Sequence, residues 1–491
     1  MKPKSLIPII ALVIGALIFS YIFTKASITS FTHDESFTYL HYPHTSFMEL
    51  ISFSDWFMNN HIMNSISMKY SEQLFGNSEL ALRLPNLLSL LIFLFYGFKL
   101  FQRKHPILLI SVFILLSTNV MLIDLFGLAR GYGLSCGFMV MSLYHFLTYL
   151  SSSKKINLYS FHFAALLAVL SHFTLLPFYV ALLGIFSLLK LLHARFDSVE
   201  SFHLLKDNKP HFFPLLINII ILYEPVRRAL IYGQLNVGGK EGFFANTISD
   251  FVKIIMNGLP LSPFVITCLQ IFFTLIVLIP FFISILKFVK NEESFFKEYK
   301  NLIVTNTLLL IILLILILNH HLLGADFPTD RFIISLFPLF IIQFGFFLDF
   351  LSTGSLSRVT IIVCCIFSLM GATSFIAKTD HYTYRPWEYD AETKNMIHFL
   401  TAYRKINSDT SKNVKIGINW LFEPTINFYR KTEKIDWLLP VDRNGLSEDD
   451  DYVYTFKQSI LMLDTSKYDI IKNFKKTKTV LIKVKTVSNI E

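Results

Sequence analysis

The sequence predicts an α-helical polytopic membrane protein with a small α/β domain at its C-terminal end. Three observations predict it. Hydrophobic residues make up 53% of the chain and charged residues only 16%, where roughly a quarter would be charged in a soluble domain. The apolar residues come in long blocks of the length that crosses hydrocarbon. Beyond Lys378 the composition changes, and short alternating runs replace the blocks.

A span needs about 20 apolar residues. Runs of that kind cover Leu6–Phe23, Leu84–Phe101, Ile107–Ile123, Leu134–Leu150, Phe264–Leu286, Leu302–Leu318, Phe332–Leu348 and Val359–Ala377. The first follows Lys2 and Lys4 without a convincing small-residue cleavage site, so it reads as a retained helix and not a signal peptide. Leu158–Leu191 is too long for one span and breaks at Ser171-His172, with Pro177 beyond, so it divides into two. Phe212–Tyr223 is a short further run, which brings the expected total to about eleven.

Charge orients the spans. With the N-terminus inside, the inner loops hold Arg103-Lys104, Lys154-Lys155, a cluster of Lys190, Arg195, Lys206 and Lys209, and a cluster from Lys287 to Lys300. That is the positive-inside arrangement. It accounts for the net charge of +9 without nucleic acid as a partner. The four cysteines, Cys136, Cys268, Cys364 and Cys365, all lie in apolar runs without CxxC spacing, so neither a disulfide nor a thiolate metal site is expected.

The outer face then receives the loop Thr24–Leu82, the Arg130-Gly131-Tyr132 turn, the loop from Glu224 to about Asn257, the segment His320–Arg331 and the tail. Phe47–Phe57 and Ile62–Phe75 read as amphipathic helices lying on the membrane surface. In the tail, Tyr389–Ile406 reads as helix, and Val414–Ile418, Tyr452–Phe456 and Val480–Val484 read as strands. The expected domains are therefore a membrane domain over 1–377, with its first outer loop at 24–82, and an extracytoplasmic α/β domain over 378–491.

Chemistry gathers at a few positions. Asp34 and Glu35, preceded by His33, follow the first span. Carboxylates at a membrane face are costly, which points to function. One of them as a general base would take a proton from an attacking hydroxyl; the alternative is that both cap or anchor a surface helix. His61, after Asn59-Asn60, could orient a substrate, ligate a cation with Glu35, or serve structure alone. Arg83, Arg130 (before Gly131-Tyr132) and Arg331 (after Asp330) lie at outer span ends. A guanidinium there suits phosphate oxygens, although snorkelling is the plain alternative. Trp387, Glu388, Tyr389, Trp420 and Glu423 in the tail could stack on and bind sugars, or serve as core and interface anchors.

In order along the membrane half, these pieces resemble the GT-C superfamily of polytopic glycosyltransferases, in particular the protein O-mannosyltransferase and aminoarabinose transferase group. The matching pieces are His33-Asp34-Glu35, Asn60-His61, Leu74-Phe75-Gly76-Asn77-Ser78-Glu79, Leu82-Arg83-Leu84-Pro85, Ala129-Arg130-Gly131-Tyr132 and Asp330-Arg331. The family often follows the loop histidine with a proline pair, and here Ile62-Met63-Asn64 stands instead.

The resemblance implies a transferase that moves a sugar from a polyprenyl-phosphate carrier to a lipid, glycan or protein acceptor on the non-cytoplasmic side, in a bacterial inner membrane. Asp34 matches the expected base, with Glu35 supporting it or a divalent cation. His61, Arg83, Arg130, Tyr132 and Arg331 become the donor-binding candidates. No cofactor is certain from the resemblance, and a divalent cation is left open. The rival readings are a lipid-linked sugar flippase, which would show midplane charges and inverted repeats, and an O-antigen ligase or polymerase.

Overall fold

The computed structural model describes residues 3–54, 59–195, 209–233, 238–353, 357–407, 413–447, 449–462 and 467–485. The chain forms two compact units. One comprises residues 1–22, 51–64 and 85–379; the other comprises 23–50, 65–84 and 380–491.

In the first unit every predicted apolar run is helical over most of its length. Among the described residues, seven helices are long and apolar enough to cross a membrane: Leu6–Ile28, Glu79–Phe101, Gly131–Ser152, Pro263–Val289, Lys300–Leu323, Asp330–Ser352 and Ser357–Lys378. An eighth span results if the bent pair Pro106–Ser117 and Val120–Phe126 is counted as one. The expected eleven were more because Lys155–Ser171 and Phe173–Leu189 are shorter apolar helices. Phe212–Tyr223 lies within Lys209–Ile231, which carries Arg227 and Arg228 near its C-terminal end. Of the basic cluster between Lys190 and Lys209, Lys206 lies outside the described residues.

The helices differ in what surrounds them. In Asp330–Ser352, 89% of the apolar window is buried, against 22% in Pro263–Val289 and in Ser357–Lys378. The first is therefore central to its unit, and the other two expose apolar faces suited to lipid.

The 67° bend between Pro106–Ser117 and Val120–Phe126 is held by side-chain amides. Asn119 Oδ1 accepts from Leu122 N–H at 2.9 Å and its Nδ2 donates to the Ile254 carbonyl at 2.6 Å. Asn257 Oδ1 accepts from Val120 N–H at 2.9 Å, and its Nδ2 donates to the Thr118 carbonyl at 3.3 Å. Backbone groups released by the bend thus find partners in an apolar setting. The break at His172 falls where the sequence places it, with His172 extended between the helix Lys155–Ser171 and the turn Phe173–Leu175.

The second unit is α/β. Strands β1 (Ile416–Ile418), β2 (Tyr452–Phe456), β3 (Tyr468–Phe474) and β4 (Thr479–Val484) form one sheet in the order β1-β2-β4-β3. β1 and β2 are parallel, joined through the helix Glu423–Thr432; the other pairs are antiparallel, with a bulge at Ile470/Lys472. Val453, Val480 and Ile482 form a buried cluster on the sheet. The helix Thr393–Ile406 buries Met396, Ile397, Leu400 and Arg404, one face at helical spacing.

Three elements here were not predicted: the helices His33–His41 and Glu423–Thr432, and β3. Helix Ile62–Phe75 is as expected, but the helix begun at Phe47 ends at Ile51. Phe53, at φ 53°, lies in the left-handed region and does not continue it. Residues 55–57 of that expected helix lie outside the described residues.

Candidate functional site

The acidic pair belongs to the second unit. Thr32 precedes the helix His33–His41, and Glu35 reaches back to it. Its Oε2 accepts from the Thr32 N–H at 2.9 Å and the Thr32 hydroxyl at 3.0 Å, as in a capping box. The same carboxylate receives Arg83, whose Nε donates to Oε1 at 2.8 Å and Nη2 to Oε2 at 2.7 Å. Arg83 Nη1 donates to the carbonyls of Ala26 and Thr29, and Nη2 to that of Ser30. These carbonyls lie at or just past the end of the first helix, where backbone acceptors lack helical partners.

All five guanidinium N–H groups are thus engaged. Both side chains are fully buried, and the guanidinium lies over the rings of Phe31 and Tyr384. Arg83 was expected to contact phosphate and Glu35 to support catalysis. The geometry instead employs them on each other, as a clasp that ties the helix His33–His41 to the first helix's end.

Asp34 is half-buried. Its neighbour His33 donates its backbone N–H to Asp390 Oδ2 at 2.6 Å, and its Nδ1 meets the Leu421 carbonyl at 2.7 Å. Burial lowers the His33 pKa, while the Leu421 carbonyl and Asp34 oppose that shift. Burial holds the fully enclosed Asp390 well above the usual carboxylate range. Trp420 stands edge-on to His33 and under Arg443, which pairs with Glu423 at 3.2 Å. Of the tail aromatics, Trp387 is core and Trp420 is half exposed.

The remaining candidates meet in the first unit. Arg130 is the N-cap of helix Gly131–Ser152. It is almost completely buried; Nη2 donates to Asn59 Oδ1 at 2.6 Å and Nη1 to the Asn59 carbonyl at 3.4 Å. Gly131 permits a close approach that no other residue would: a Cβ there would lie 1.8 Å from the Ser171 carbonyl oxygen and 2.9 Å from the His61 ring. Asn64 fixes the strap before it, donating to the Ala129 carbonyl at 2.9 Å and accepting from Asn86 Nδ2 at 2.9 Å.

Three rings close around this point. His61 stacks on His172 with centroids 4.7 Å apart, and Tyr132 packs on His172 at 4.4 Å and on His61 at 5.4 Å. The Tyr132 hydroxyl accepts from Arg331 Nε at 3.1 Å. Arg331 also pairs loosely with Asp330, at 3.8 Å, and lies over Phe332. Asp330 has φ 50° and donates its N–H to Asp250 Oδ2, a left-handed conformation uncommon outside glycine.

Burial, then Arg130, His172 and Arg331 nearby, push the His61 pKa well below its ordinary value. His172, in the turn between helices, is pushed down to about 3 by burial and the same two arginines. Two neutral imidazoles therefore sit among two guanidinium groups, at the positive end of a 22-residue helix.

The structure thus brings His61, Arg130, Tyr132 and Arg331 into one cluster, with Glu35 and Arg83 joined elsewhere in the second unit, which also holds Asp34. Sequence reading missed His172 as a site residue and saw only a helix break. A histidine at a break inside an apolar block was the available signal. Among the described residues, no group of three or more His, Cys, Asp or Glu side chains is gathered as a metal site.

By sequence, the chain matches no protein-family model and no curated protein. By structure it is similar to ArnT from Cupriavidus metallidurans in the apo state, with a TM-score of 0.52 and 10% identity, covering 96% of this chain and 97% of that one. It is also similar to the same protein bound to undecaprenyl phosphate, with a TM-score of 0.51 and 11% identity over the same shares. With helices of this length and apolarity, and a match along almost its whole length, the chain is an integral membrane protein of GT-C-like fold.

Proposed function

We propose that the protein is a membrane glycosyltransferase that takes a sugar from a polyprenyl-phosphate carrier and passes it to an acceptor hydroxyl on the non-cytoplasmic face. The carrying observation is the likeness, over almost the whole chain, to ArnT, one structure of which is bound to undecaprenyl phosphate. The cluster of Arg130, Arg331 and Tyr132 at a helix N-terminus supports it in residue terms, because such a cluster suits a phosphate. The distribution of lysine and arginine along the chain supports the side of the membrane.

The proposed reaction is a single displacement. The acceptor oxygen attacks the anomeric carbon, the bond from that carbon to the phosphate oxygen breaks, and the configuration inverts. The departing phosphate keeps the electron pair, and the two guanidinium groups stabilise its growing charge. The acceptor proton goes to Asp34 as general base. Within the acidic pair this role falls to Asp34 because Glu35 is committed to Arg83. A second carboxylate nucleophile, which retention would need, is not invoked.

The test is transfer from a panel of radiolabelled polyprenyl-phosphate sugars in membranes containing the native acceptors. Asp34→Asn should lose transfer by about 100-fold or more while still binding carrier. Arg331→Ala should weaken carrier binding. Full transfer by Asp34→Asn would remove Asp34 from the mechanism, and unchanged carrier affinity would make Arg331 an anchor.

A further inference from the structure

The stacked histidines offer more than a charged lining. Each has a buried Nε2 with no hydrogen-bond partner among the described residues, and both side chains are more than nine-tenths buried. A buried polar atom without a partner is costly, so such atoms usually mark the place of a ligand or water.

Their Nδ1 contacts fix what each Nε2 can do. His172 Nδ1 accepts from the Thr174 N–H at 3.3 Å and lies 2.6 Å from the Thr174 hydroxyl. An Nδ1 that accepts carries no proton, so the neutral ring has its proton on Nε2 and offers a donor. His61 bonds to the Ser171 backbone carbonyl, and its Nε2 is without a partner, so Nδ1 makes that bond. It must donate to a carbonyl, which leaves His61 Nε2 with a bare lone pair. The two stacked rings are opposite tautomers.

A donor and an acceptor together are a poor match for phosphate, whose ester oxygens only accept. They are also a poor match for an ammonium group, which only donates and would meet two guanidinium charges. A hydroxyl both donates and accepts. In a glycosyl phosphate the sugar is attached directly to the phosphate, so hydroxyls lie next to a phosphate held by the arginines.

Building on the proposed polyprenyl-phosphate reading, we infer that His61 and His172 form a hydroxyl-reading subsite for the transferred sugar, and that this sugar is a neutral hydroxylated one and not an amino sugar. The arginines hold the carrier; the histidines discriminate what it carries.

The experiment measures binding to the purified full-length protein in nanodiscs. The probes are undecaprenyl phosphate alone, the same carrier bearing glucose, galactose or mannose, and the carrier bearing an amino sugar. The wild type should bind the best neutral-hexose carrier at least about tenfold more tightly than the amino-sugar carrier. His61→Phe and His172→Phe, which keep an aromatic ring in the stack, should each cost about tenfold for that hexose carrier and under about twofold for bare carrier.

His61→Gln and His172→Gln should recover most of the loss, because the glutamine amide can supply either an acceptor or a donor. Retained bare-carrier binding also shows that each variant is folded. Equal losses for bare and glycosylated carrier, or no loss for either, would overturn the inference while leaving the carrier reading intact. So would tightest binding of the amino-sugar carrier. A wild type that binds no carrier at all would overturn both.

Discussion

Asp34 and Glu35 are adjacent and chemically alike, yet their surroundings employ them differently. Glu35 sits one position further along a capped helix, and that step takes it into a fully buried bidentate pair with Arg83. Removing one partner of such a pair strands the other charge without water. Glu35→Ala should therefore destabilise the protein by about 3–5 kcal/mol, seen as a lowered unfolding midpoint in detergent. The partly exposed Asp34→Asn variant should melt close to wild type. A mild Glu35→Ala phenotype would show that water or another cation reaches Arg83. The sequence announced that this acidic pair matters. It could not say which member was committed, because that depends on a partner 48 positions away.

At the scale of elements, the start of helix Gly131–Ser152 is the tightest passage in the first unit. The Ser171 carbonyl that would meet a Cβ at Gly131 is backbone at the end of another helix and has little freedom to yield. Gly131→Ala should cost about 3 kcal/mol through overpacking and weaken binding of the hexose-bearing carrier more than of bare carrier, since the same shift displaces His61. A normal melting temperature for this variant would show that the helix end slides aside.

Legibility at this scale followed physical cause. Long apolar blocks and the break at His172 were readable because hydrophobic length and helix interruption are local properties. The bend at Thr118-Asn119 was not, because its backbone groups are satisfied by Asn257, far along the chain. Strand β3 was missed for a related reason: most of it is exposed or half-exposed, so its residues show no inward-facing alternation.

At the scale of the whole molecule, the fold class was legible from composition, the long apolar blocks and the alternating runs of the tail, and the order of short motifs pointed to the same fold as the structural likeness. Segment membership was not legible. The tail reads as a separate domain, yet its compact unit also takes residues 23–50 and 65–84. The Phe31 N–H donates to the Tyr429 hydroxyl at 2.7 Å and the His33 N–H to Asp390, while the Phe31 ring stacks on Phe428 at 4.4 Å. Ending the chain at Thr379 should therefore not yield a stable membrane domain. The expected result is rapid proteolysis of residues 23–50 and 65–84 and loss of carrier transfer. A truncated chain with wild-type protease resistance would show that these segments hold their form alone.

The same interleaving sets a timetable for synthesis. Glu35 and Arg83 leave the ribosome close together and can clasp early. The partners of Phe31 and His33 emerge only after some three hundred more residues have been made and threaded into the bilayer. For most of translation, then, the segment after the first helix waits half-assembled, with the Phe31 ring not yet covered by Phe428. The newborn chain is most exposed to proteases and to chaperones at Phe31 and its neighbours, and it ceases to be so only when its last hundred residues arrive.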